Sequence, residues 1–195
     1  MAGLFLYLAM MKILLSVIFV FITGFTKAQT LPVKWATQET FFEDLIGKDL
    51  PDFRGITITG KRFSKQNLKD QIVIINFWFE ECPPCVKEIP ELNKFVDKYK
   101  GDNVRFIAIT YDERKRAAKF QKKIGYKYEI ICLTKDEIRK LNINHGYPSN
   151  ILVGKDGKII KAISSISFSD EIPSVKEKTV DFEQKLKNEI SQSHR

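Results

Sequence analysis

A chain of 195 residues, 44% hydrophobic and 12% aromatic, can bury one good core and is too short for two ordinary domains. Lysine and arginine outnumber aspartate and glutamate by 32 to 24, but the basic residues are scattered among acids from Lys34 to Arg195. Without a basic stripe bearing stacking aromatics, this argues for a solvated surface and against nucleic-acid binding. Cys82 and Cys85 stand close together and Cys132 alone, too few for a disulfide-stapled miniprotein; His145 and His194, the only histidines, do not complete a structural zinc set.

Residues 1–28 contain no acid and two lysines, with an apolar run from Ile13 to Ile22, then Gly24 and the exit Thr26-Lys27-Ala28. That is the pattern of a secretory signal peptide. Lys12 interrupts the apolar stretch if translation starts at Met1. A start at Met11 gives Met-Lys-Ile-Leu-Leu, with the charge where a signal needs it, so the first ten residues read as an over-extended start. The rival reading is an uncleaved N-terminal membrane anchor, because Gly3 to Phe25 approaches the ~20 apolar residues of a span. Either way the expected location is the periplasm or cell envelope, where disulfides persist unless something reduces them.

Residues 29–50, with Trp35, Phe41 and Phe42, form an expected lead-in, followed by a domain over 51–165 and a covering helix in 166–195. Ile56-Thr57-Ile58-Thr59 alternates before the turn signal Gly60-Lys61 and Arg62-Phe63, a small hairpin. The nearly continuous apolar run Ile72 to Phe79 predicts a strand buried on both faces, the central one of its sheet. Ile89, Leu92, Val96 and Tyr99 recur at spacings of three and four, predicting an amphipathic helix over Pro83–Tyr99 that Pro90 should kink. Then come a strand at Val104–Thr110, a helix at Arg114–Ile124 closing at Gly125, a strand at Tyr128–Leu133 and a short helix at Asp136–Leu141. Ile151–Val153 and Lys158–Ile163 flank an Asp-Gly hairpin turn. Val175, Thr179, Phe182, Leu186 and Ile190 share one face of the last helix. The sum is an α/β fold: a three-layer α/β/α sandwich with a central mixed sheet and an N-terminal hairpin.

Cys82-Pro83-Pro84-Cys85 stands where the buried strand ends and the amphipathic helix begins. The helix N-terminus carries about half a positive charge, which favours the thiolate, the attacking species in disulfide exchange. Two intervening residues let both sulfurs meet in one turn, so Cys82 is the expected nucleophile and Cys85 the resolver. Glu80 and Glu81 beside Cys82 oppose its ionisation, and Pro83 and Pro84 lack the N–H groups that would hold a thiolate, leaving mainly that of Cys85. Both effects point to a reductant. Cys132, in a predicted strand, reads as a small buried apolar residue, and His145 as a solvated loop histidine.

Asn76 to Cys85, followed by Glu88 and Pro90, resembles the active-site stretch of thioredoxin-fold thiol-disulfide oxidoreductases, specifically the TlpA/ResA-like exported group. Gly47–Phe53 resembles that group's opening motif, Gly146-Tyr147-Pro148 its cis-proline loop, and Asp156-Gly157-Lys158-Ile159 its following hairpin. The resemblance covers roughly residues 47–163. It implies a cis Pro148 facing the disulfide, with the backbone of Tyr147 free to pair with an extended substrate peptide, and Trp78 packed beneath the disulfide. Thioredoxins place a buried Asp where this chain has Asn76, so the proton of Cys85 must go elsewhere; Glu88 matches a glutamate that the group keeps near its thiols. The resemblance further implies protein disulfide substrates, a membrane thiol electron donor, no cofactor and a monomer, with an apocytochrome c or another envelope protein as client. The competing readings are a disulfide oxidase or isomerase, a peroxiredoxin-like peroxidase and a non-catalytic binding module. A peroxiredoxin needs a Thr or Ser three residues before its cysteine, and here the residues before Cys82 are Phe79, Glu80 and Glu81.

Overall fold

The computed structural model describes residues 42–142 and 145–193. Contacts divide the chain into Met1–Ala36 and Thr37–Arg195, and every described residue lies in the second unit. The signal or anchor reading of residues 1–28 and most of the lead-in fall outside the described residues, as does His194. No helix among the described residues is long and apolar enough to cross a membrane.

Seven strands form one mixed sheet: β1 Arg54–Thr57, β2 Arg62–Ser64, β3 Ile72–Phe77, β4 Val104–Thr110, β5 Glu129–Cys132, β6 Ser149–Val153 and β7 Ile159–Ile163. Their spatial order is β2-β1-β5-β4-β3-β6-β7, with β3, β4 and β5 parallel and the outer pairs antiparallel. Every residue of β3 is buried, as its nearly continuous apolar run predicts. The helices are α1 Pro83–Lys98, α2 Arg114–Ile124, α3 Lys135–Asn142 and α4 Pro173–Ser193.

Side-chain alternation along the strands divides the core into two layers. Ile72 and Ile74 pack with Ile89, Leu92 and Phe95 of α1, Phe120 of α2, and Phe182 and Leu186 of α4. Val73, Ile75 and Phe77 face the other way, onto Ile138 and Leu141 of α3 and onto Leu45, Leu50 and Phe53. Helices α1 and α2 share a face because β3-α1-β4 and β4-α2-β5 step across the sheet in the same direction. The described end of the lead-in is held to the β6–β7 hairpin: Gly47 N–H donates to Ile159 O at 2.8 Å, and Ile159 N–H returns a bond to Lys48 O at 2.9 Å.

Pro90 sits inside an uninterrupted α1. Helix α2 ends at Gly125 in the left-handed conformation, φ 68°, which lets a residue without a Cβ close the last turn. The sheet and its topology put the open end of α1 at the C-terminal end of β3, the place from which a buried parallel strand feeds a site.

Candidate redox site

Between β3 and α1 the chain runs through Trp78-Phe79-Glu80-Glu81 to Cys82, the N-cap of α1. Cys82 and Cys85 are joined by a disulfide, with Cα atoms 5.3 Å apart. Pro83 and Pro84 fill the first two helical positions, so the Cys85 N–H makes the N-cap bond, donating to Cys82 Sγ at 3.3 Å. Cys82 keeps an edge of exposure, 4%, and Cys85 has none. That order suits an outer nucleophile and an inner resolver.

One turn into α1, Glu88 is buried in a polar cluster from two strands and two loops. Asn76 Nδ2 donates to Glu88 Oε1 at 2.7 Å, Ile166 N–H to Oε2 at 2.9 Å, and Asn150 Nδ2 more weakly at 3.3 Å. Asn76 also donates to Asn150 Oδ1 at 3.0 Å and accepts from Tyr126 OH at 2.8 Å. Asn76 and Asn150 stand directly opposite each other in the β3–β6 ladder. Burial pushes the Glu88 carboxyl up to about 8 from 4.5, against the opposing pull of the Ile166, Asn150 and Asn76 donors. It is a proton-exchanging group near neutral pH.

The Glu80–Glu81 pair is not left uncompensated, as the sequence alone suggested. Arg116 of α2 donates Nε to Glu80 and Nη2 to Glu81, the second at 2.7 Å. Sequence reasoning missed Arg116, Tyr126 and Asn150. Two asparagines inside otherwise apolar strands, Asn76 and Asn150, were the signal for the buried cluster; nothing local marked Arg116.

Residues 46–162 match the AhpC/TSA family. Two curated relatives are thiol-disulfide oxidoreductases named ResA. That of Bacillus thuringiensis subsp. konkukian is 32% identical over 162 residues, 83% of this chain and 92% of the relative. That of Bacillus thuringiensis strain Al Hakam is 34% identical over 139 residues, 67% of this chain and 79% of the relative. The chain belongs to the AhpC/TSA family. Within it, the chain is a thioredoxin-like thiol-disulfide oxidoreductase. The fold likeness extends to a putative thiol:disulfide interchange protein DsbE from Chlorobium tepidum, TM-score 0.63 at 23% identity, covering 74% of this chain and 97% of that one.

The remaining candidate residues of this oxidoreductase fall into distinct places. The Tyr147–Pro148 peptide bond is cis, with Pro148 buried. The Tyr147 ring packs edge-on against Phe79 at 5.2 Å, which ties the proline loop to the loop preceding Cys82. Trp78 is 0% exposed, stacked on Phe120 at 5.3 Å and edge-on to Tyr126, within the core cluster that includes both sulfurs. Trp78 thus lies inside the core behind the site and does not line its surface. The reading of His145 as a solvated loop residue is corrected. It is buried, with Nδ1 2.7 Å from Asn142 O, Nε2 3.0 Å from Asp44 and its ring stacked on Phe42. Cys132 is half-buried in β5, and burial pushes its thiol up to about 11, so it stays protonated. Among the described residues, no group of three or more His, Cys, Asp or Glu side chains is placed to hold a metal.

Proposed function

We propose that the protein works after export as a reductant of envelope-protein disulfides, through Cys82 and Cys85. The observation that carries this reading is the joined pair of sulfurs at the open end of α1, the outer one with an edge of exposure and the inner one without. In the reduced protein the Cys82 thiolate attacks one sulfur of a client disulfide. A Cys82–client disulfide forms, the client S–S bond breaks, and the other client sulfur leaves as a thiolate. Cys85 then gives its proton to Glu88 where that carboxyl is ionised, the minority form near neutral pH, and attacks Cys82 Sγ. The Cys82–Cys85 bond forms, the mixed disulfide breaks, and the second client thiolate leaves. Two electrons have passed to the client, and a membrane thiol donor restores the pair. The client chain lies extended beside the backbone of Tyr147, ahead of Pro148. By the family resemblance it is an apocytochrome c or another envelope protein, and the protein acts as a monomer.

The missing N–H groups of Pro83 and Pro84 support the reducing direction, because a poorly held thiolate favours the disulfide form. The paired state of Glu80 and Glu81 weakens the second argument for it. Equilibration of the purified protein in thiol buffers tests the direction: a couple more oxidising than about −180 mV would make it an oxidase or isomerase. Cys82→Ser should abolish exchange, and Cys85→Ser should accumulate clients as mixed disulfides. Activity persisting in Cys82→Ser would sink the mechanism, and rapid peroxide consumption in stopped flow would favour the peroxidase.

A further inference from the structure

Several of the contacts that brace the loop delivering Cys82 come from one segment, residues 109–116. Trp78 N–H donates to Ile109 O at 3.0 Å, Phe79 stacks on Tyr111 at 5.1 Å, and Glu80 N–H donates to Asp112 Oδ2 at 2.7 Å. Arg116 completes the brace with one guanidinium forked across the carboxylates of Glu80 and Glu81, the two residues immediately before the nucleophile. A guanidinium has donors in a rigid planar fork and can serve both carboxylates at once, which the single ammonium of a lysine cannot do in the same geometry.

We propose that Arg116 is a positioning residue for the nucleophile: its fork compensates the Glu80 and Glu81 charge beside Cys82 and holds the loop in the conformation that leaves Cys82 outermost. The inference rests on the reading of Cys82 as the attacking thiolate. The other charged groups on the surrounding elements do not supply this compensation. On α1, Lys87 is paired with Glu171 at 3.0 Å and Glu88 is protonated below about pH 8. On the bracing segment, Asp112 accepts from the Glu80 backbone. Burial holds the phenols of Tyr111 and, on the proline loop, Tyr147 in their neutral form. The charges held on this loop are thus the carboxylates of Glu80, Glu81 and Asp112 and the one guanidinium of Arg116.

The test is the pH profile of Cys82 alkylation by iodoacetamide in the reduced full-length protein, read by mass spectrometry at Cys82. Removing one unit charge several ångströms away through water-exposed surroundings moves a titration by about half a pH unit. Arg116→Gln should therefore raise the midpoint by about that much, leaving roughly a third of the thiolate on the acid side. Arg116→Lys should recover part of the shift. In a Glu80→Gln/Glu81→Gln background, where no carboxylate holds the guanidinium beside the loop, Arg116→Gln should raise the midpoint by clearly less. An unmoved midpoint in Arg116→Gln, no recovery by Arg116→Lys, or a rise equally large without the two carboxylates overturns the inference. Failure of the functional reading looks different: the unaltered protein would then show no reversible Cys82–Cys85 couple in thiol buffer, whatever residue 116 is.

Discussion

At Glu88 two effects of opposite sign meet. Three N–H donors favour the carboxylate, yet removal from water favours the acid more, and the carboxyl rests at about 8 against 4.5 for an exposed glutamate. The folded form thus binds a proton that the unfolded chain has already released. Stability contributed by this group is complete below about pH 4.5 and is lost as pH rises toward 8, at about 1.4 kcal/mol per pH unit at most. Glu88→Gln keeps one of the two acceptor oxygens and removes the titration. Chemical denaturation from about pH 5 to 8 should show wild-type stability falling and the variant's staying flatter across the same range. The same substitution takes away the acceptor of the Cys85 proton, so release of a preformed Cys82 mixed disulfide should slow by about 100-fold at neutral pH. Unchanged release in a variant with the flattened stability profile would leave Glu88 a structural acid with no part in resolution.

Helix α1 is the element on which this chemistry depends, and its first turn is unusual in its missing donors. An N-cap acceptor normally takes an N–H from the second or third helical residue; here the second is Pro84, so Cys85 alone donates to Cys82 Sγ. Pro84→Ala restores one N–H aimed at the sulfur. The thiolate should be better held, the reduced form favoured, and the couple shifted to more oxidising values by about 15–30 mV, the equivalent of a three- to tenfold change in the exchange constant. A potential moving the other way would show that the prolines act through helix geometry instead. Much of this element could be read from residues alone. The apolar run of β3, the three-and-four spacing of α1 and the terminal Gly125 of α2 each follow from local rules, and their bounds fall within a residue or two of those expected. The two cysteines were legible from their spacing at a strand-to-helix junction, and Glu88 only through the family resemblance. What was not legible was whatever a different element supplies: Asn150 across the β3–β6 ladder, Ile166 from beyond β7, and Arg116 from α2. Their partners are set by sheet order, which no local pattern encodes. For the same reason His145 read as a solvated loop residue, although Asp44 and Phe42 from the far end of the chain enclose it.

On the scale of the molecule, the last helix reaches the site without touching the sulfurs. Helix α4 is anchored by Phe182, fully buried and edge-on to Phe95 of α1, and by Glu183, which accepts from Tyr99 OH at 2.6 Å. From this anchored helix Thr179 Oγ1 accepts the Ser167 N–H at 3.0 Å, and one residue earlier Ile166 N–H closes on Glu88. Segment 164–168 is therefore a strap held by α4 over the buried carboxyl. Thr179→Val keeps the packing volume and removes the acceptor that holds the strap. The Ser167 N–H must then seek water, and a strap that lifts to reach it admits water to Glu88. The carboxyl should titrate below its position near 8, since burial is the largest cause of its displacement and burial is what the strap supplies. Phe182→Ala loosens the same helix from its core side and should lower the titration as well, with a stability loss of about 3–5 kcal/mol. The carboxyl carbon shift of Glu88, followed by NMR across pH, reads both variants directly. If Thr179→Val leaves that midpoint where it stands in the unaltered protein, the seal over Glu88 belongs to α1 and the sheet, and the terminal helix contributes stability alone.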